Sequence, residues 1–68
     1  MISVNGTLRP RPPGEGTVAD LLAALDLVRD GRGLAVAVDG EVVPRSAWGE
    51  HVLPEGAAVE VLTAAQGG

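Results

Sequence analysis

Few residues in this chain can do chemistry, and their scarcity turns attention to its last two, Gly67-Gly68. There is no cysteine, lysine or tyrosine, so a thiolate nucleophile, an amine base and a phenol acid are all absent. His51 is the only histidine and has no partner at the spacing of a catalytic triad, so it reads as a surface or packing residue. Asp26 and Asp30 lie four apart with no histidine beside them, which favours a solvated face over a metal site. Gly14-Glu15-Gly16 and Gly31-Arg32-Gly33 lack the lysine that a phosphate-binding loop requires, and read as a loop and a helix exit. Trp48, the only aromatic, reads as the large filler of a core otherwise built from Val, Leu and Ala; the other reading is an exposed docking residue.

Gly67-Gly68 offers a different kind of chemistry. Glycine packs nothing and costs backbone entropy, so a bare pair serves no purpose in a terminal strand. A side-chain-free end can instead thread a narrow channel and present its carboxylate to a reagent held by another protein. We read Gly68 as the native end and its carboxylate as the reacting group, with Gly67 giving clearance beside it. On these residues alone, a frayed terminus explains the pair as well. Both readings stand at this point.

The elements that would position such a tail follow from turn and periodicity signals. Ile2-Ser3-Val4 and Thr7-Leu8-Arg9 flank Asn5-Gly6, the pair a type I′ hairpin turn requires. Pro10, Pro12 and Pro13 remove ladder donors, which puts the second strand at a sheet edge. Thr17 is a helix N-cap with Asp20 placed for a capping box, and Val18, Leu21, Leu22 and Leu25 share one helical face. The helix is expected from Val18 to Leu27 or Val28. Residues 34–38 form a strand with large residues on one face and alanines on the other. Asp39-Gly40 turns it into Glu41-Val42-Val43, which Pro44 ends. Ser46 to His51 should make a short helical turn carrying Trp48. Ala58 to Ala64 is the last strand, with Val59 and Val61 on one face and Glu60 and Leu62 on the other. Ala65-Gln66-Gly67-Gly68 has neither periodicity nor bulk, and is expected to be a mobile tail.

Sixty-eight residues make one small domain, with room for one helix on one sheet and little for an enclosed active site. One helix covers one sheet face, so the class is α+β. Nine acids against five scattered arginines give a net charge of −4, which suits a basic patch on a partner protein and disfavours nucleic acid. No stretch has the length of a membrane span or the pattern of a secretory signal, so a cytoplasmic location is expected.

The order ββαββ-turn-β ending in Gly-Gly resembles the ubiquitin-like β-grasp fold. More closely, the chain resembles the ThiS family, the sulfur carriers of thiamine (thiazole) biosynthesis. The residues that carry this likeness are Ile2-Ser3-Val4-Asn5-Gly6, residues 17–22, the stretch from Ala35 through Val43-Pro44-Arg45-Ser46-Ala47-Trp48, Glu55-Gly56 to Val61, and Gln66-Gly67-Gly68. The resemblance implies a five-stranded mixed sheet with its first and last strands parallel, one main helix on one face, and a short helical turn before the last strand. Residues 1–64 would be the β-grasp domain and 65–68 its flexible tail.

It also implies a protein that is not itself an enzyme. A ubiquitin-activating-like (E1-like) adenylyltransferase would adenylate the Gly68 carboxylate with ATP. A persulfide donor would convert the adenylate to a thiocarboxylate, and thiazole synthase would receive the sulfur. The chain itself would bind no cofactor and no metal; ATP belongs to the activating partner. Leu62, on the open face, with Ala64, Ala65 and Gln66 before the glycines, would meet the partner. Two features of the residues agree. Without cysteine the terminus is the one place to carry sulfur, and without lysine the chain cannot be built into lysine-linked polymers. The nearest alternatives are the small subunit of molybdopterin synthase and a carrier for cysteine or methionine synthesis. A regulatory β-grasp binding module without chemistry is the alternative from another class.

Overall fold

A computed structural model describes residues 1–27 and 33–63. The first turn is made by Asn5 and Gly6, both at positive φ (52° and 85°), which matches the twist of the strands they join. Strand β1 (Ile2–Val4) thereby pairs antiparallel with β2 (Thr7–Arg9). Pro10 follows at once, and β2 lies at the sheet edge as the prolines require.

Helix α1 (Val18–Ala24) starts on a complete capping box, with Thr17 Oγ1 accepting from the Asp20 N–H at 3.1 Å and Asp20 accepting from the Thr17 N–H at 3.2 Å. The bond from the Thr17 N–H, aided by the bond with the Thr17 side chain and opposed in part by desolvation, holds the Asp20 carboxyl below its ordinary value. The cap's ionic contribution is therefore complete above about pH 4 and fades as pH falls through that lowered value. The remaining first-turn donors find backbone partners. Val18 N–H donates to His51 O and Ala19 N–H to Trp48 O, both at 3.0 Å. With these bonds the segment after β4 is stitched onto the helix start, and no helix donor is left for a ligand.

The helix ends three residues sooner than its apolar spacing predicts. Asp26 takes a left-handed conformation (φ 61°), its N–H donates to Ala23 O, and the Leu27 N–H reaches back to Leu22 O at 2.9 Å. This is a Schellman ending with aspartate in the place glycine usually holds, and Leu27 packs on the core as its apolar companion. Val28, the other expected end, lies outside the described residues, as do Asp30, Gly31 and Arg32.

Strand β3 (Leu34–Val38) turns through Asp39-Gly40, again both at positive φ, into β4 (Glu41–Val43). A 3-10 turn spans Arg45–Ala47, one residue earlier and shorter than expected. Pro44 supplies its extended entry, and the chain to His51 continues as looser turns. Trp48 is buried beneath it and donates from Nε1 to Val43 O at 2.9 Å, so it fills the core and does not dock a partner. Strand β5 (Ala58–Thr63) then enters the middle of the sheet, giving the order β2-β1-β5-β3-β4. It runs parallel to β1 and antiparallel to β3. This is the β-grasp arrangement, α+β with the helix on one face. The core joins Ile2, Val4, Val36, Val38, Val43, Val59 and Val61 of the sheet to Val18, Leu21 and Leu22 of the helix, with Trp48, Leu53 and Ala57 closing its margin.

Candidate functional site

The candidate site is the outgoing end of β5 together with the sheet face the helix leaves bare. Two turn residues fix the course of β5. Asn5 accepts from the Val61 N–H at 2.9 Å and donates to Val61 O at 3.0 Å, so its amide acts as one more residue of β1 pairing with β5. Asp39 does the same at the incoming end. Its N–H donates to Ala58 O at 2.7 Å and its carboxylate accepts from the Ala58 N–H at 2.9 Å. Aspartate and asparagine tolerate the left-handed turn position and also carry a hydrogen-bonding group there, which glycine lacks. The two hairpin turns thus clamp the central strand from opposite ends.

This clamp is testable. Asn5→Gly keeps the positive φ and removes both bonds to Val61. It should cost about 1–2 kcal/mol, which lowers Tm on the order of 5–15 °C in a domain of this size. Hydrogen exchange at the Val61 amide should quicken. An unchanged Tm and unchanged Val61 protection would show that the clamp contributes nothing.

On the bare face the strands present Leu8, Ser3, Ala58, Glu60, Leu62, Ala35, Ala37 and Val42, following from register. Leu62 is 66% exposed and Val42 74%, large apolar surfaces with no internal cover. Leu62 sits opposite Ala35, and Glu60 sits opposite Ala37, which itself pairs with Val42. The alanines leave a shallow hollow of about 80 Å³ walled by Val42, Glu60 and Leu62. Leu62 therefore lies where the sequence puts it, beside the exit of β5. Ala64, Ala65, Gln66, Gly67 and Gly68 lie outside the described residues. His51 stands apart from this face, half-buried, its carbonyl committed to the helix start. The described residues hold no cluster of histidine and carboxylate groups able to bind a metal.

Residues 2–68 match the ThiS family. The chain belongs to the ThiS family. Among solved structures, this ThiS-family chain is similar to the thiamine biosynthesis protein ThiS from Geobacter metallireducens, with 34% identity and a TM-score of 0.76. That likeness covers 98% of this chain and 97% of the other. No curated protein matches. The family and fold expected from Val43-Pro44-Arg45-Ser46-Ala47-Trp48 and the closing glycines are thus correct. No described helix of this family member is long and apolar enough to cross a membrane.

Hydrophobic pairing alone could have flagged Leu62 and Val42, but not the hollow between them. That hollow depends on the register of three strands, two of which, β3 and β5, are about twenty residues apart in the chain. The clamp by Asn5 and Asp39 was also beyond sequence reading. Asn-Gly and Asp-Gly signal the turns, and nothing local says which strand their side chains will meet.

Proposed function

We propose that this chain is a sulfur carrier of thiamine biosynthesis, a protein co-substrate whose Gly68 carboxylate is the reacting group. Membership of the ThiS family over residues 2–68 is the observation that carries this reading. The fold supports it, because β5 is held at both ends and delivers its outgoing end beside an uncovered apolar face. Among the described residues the space between helix and sheet is filled by apolar side chains from Ile2 to Val61.

The proposed chemistry proceeds in steps on partner enzymes. In an E1-like adenylyltransferase, a Gly68 carboxylate oxygen attacks the α-phosphorus of ATP and expels pyrophosphate. The terminal sulfur of a persulfide then attacks the acyl carbon and expels AMP. A thiol cleaves the remaining sulfur–sulfur bond, leaving a thiocarboxylate on Gly68. Thiazole synthase takes that sulfur. Gly67 and Gly68 present no side chain to the walls of the channel, and Leu62 with Ala64, Ala65 and Gln66 meets the partner ahead of them. The chain contributes no cofactor; ATP is held by the activating enzyme.

The test is ATP–pyrophosphate exchange by the activating enzyme of the same cell. Addition of the full chain should start exchange that is absent without it. No chain-dependent exchange at high chain concentration would contradict the carrier reading and favour a binding module.

A further inference from the structure

The bare sheet face carries one charge at its centre, and that charge specifies what can cover it. Of the residues the register places on this face, Glu60 is the only ionisable one; the others are Ser3, Leu8, Ala35, Ala37, Val42, Ala58 and Leu62. Its strand neighbours on the face are Ala58 and Leu62, and its cross-strand neighbour is Ala37. Among the described residues no cation pairs with it, since the ion pair found joins the Met1 ammonium to Glu55 at the other end of β5. Among the described residues, then, none relieves Glu60 of its dependence on water for solvation.

The location of the reacting residue says who must approach this face. Gly68 lies five residues beyond Thr63, a span of at most about 17 Å even when fully extended. An enzyme that encloses the Gly68 carboxylate must bring its body to the end of β5, beside Leu62. Covering Leu62, Val42 and the alanine hollow removes apolar surface from water and is favourable. The same contact strips water from Glu60, which is costly unless a cation replaces it. A second copy of this chain related by a twofold axis would set Glu60 near Glu60, which opposes self-association through this face. Nucleic acid and anionic lipid would meet a carboxylate and no base.

We propose that the activating enzyme docks on this face with an aliphatic or aromatic side chain seated over Ala35 and Ala37, and an arginine or lysine paired with Glu60. The proposal rests on the carrier reading above. Leu62 and Val42 supply area, while Glu60 sets the register and selects a partner with a matching cation.

The test measures KM for the chain and kcat in ATP–pyrophosphate exchange, with Glu60→Gln, Glu60→Arg and Leu62→Ala variants, at low and high salt. Glu60 and Leu62 are exposed, so each variant should fold, which its far-ultraviolet circular dichroism must show before KM is compared. Glu60→Gln should raise KM about tenfold with kcat unchanged, and should flatten its dependence on salt. Glu60→Arg should raise KM further, and Leu62→Ala should raise KM with the salt dependence intact. If Glu60→Gln leaves KM within about twofold while Leu62→Ala raises it, the face docks without a cation and the proposal is overturned. If neither variant changes KM although exchange proceeds, the face is not the docking surface and the proposal is overturned while adenylation stands. Absence of exchange with the unaltered chain would overturn the carrier reading and this proposal with it.

Discussion

Deleting Gly67 and Gly68 should abolish chain-dependent ATP–pyrophosphate exchange and leave thermal stability unchanged. The expected loss is complete, because the deletion moves the terminal carboxylate two residues, on the order of 7 Å, away from the α-phosphate it must attack. Reaction rates fall steeply with misplacement far smaller than this. Stability should hold because two glycines carry no side chain that could add to a core. Gly68→Ala probes the same point more gently. One methyl group beside the reacting carboxylate should lower kcat/KM by at least tenfold if the channel is as narrow as a bare tail implies. Retained exchange in the deletion variant would mean that chemistry occurs elsewhere. A shared loss of exchange and Tm would mean that the tail is part of the fold.

The second large effect is expected in the core. Trp48→Ala should unfold the domain or bring it close to unfolding. Truncating a buried tryptophan costs about 3–5 kcal/mol, and a chain of 68 residues has about 3–10 kcal/mol of total stability. Two things are lost together, and a third loses its anchor. The ring is 8% exposed and closes the core with Leu53 and Ala57, its Nε1 donates to the buried Val43 carbonyl, and it holds in place the segment whose Trp48 and His51 carbonyls accept from the first-turn N–H groups of α1. Trp48→Phe separates these contributions. It keeps most of the apolar area and loses the Nε1 bond, so its urea midpoint should fall between those of the unaltered chain and Trp48→Ala. Far-ultraviolet circular dichroism is the suitable probe, since Trp48 is the only aromatic residue. A midpoint for Trp48→Ala equal to that of the unaltered chain would show that the core does not depend on this ring.

Much of this architecture is legible in the residues because local signals and tertiary structure agree. Asn5-Gly6 and Asp39-Gly40 specify type I′ turns, and both turns form. Thr17 and Asp20 specify a capping box, and it is complete. Val59 and Val61 against Glu60 and Leu62 specify which face of β5 is buried. The misjudged boundary is the end of α1, where Leu25 and Leu27 continue the apolar pattern but Asp26 breaks the helix. Aspartate is a weaker stop signal than glycine, and only the return of the Leu27 N–H to Leu22 shows that the helix has closed. Strand order was not readable from periodicity and entered through family resemblance alone.

The site was legible by half. Leu62 stands out by type and phase, and the glycines by their bareness. The hollow over Ala35 and Ala37 arises only when β3, β4 and β5 align, because alanine in one strand is unremarkable until its neighbours are larger. Glu60 is placed by the sequence only on the face opposite Val59 and Val61. Its isolation among apolar neighbours is a property of the sheet, not of the strand.

The central claim, that Gly68 carries sulfur, is tested most directly by intact-protein mass spectrometry of the chain after incubation with the activating enzyme, ATP and a persulfide donor. We expect a species heavier than the unaltered chain by the difference between one sulfur and one oxygen, with fragmentation placing that difference on Gly68. With all three reactants present, a chain of unchanged mass, or a sulfur located on any other residue, would contradict the account.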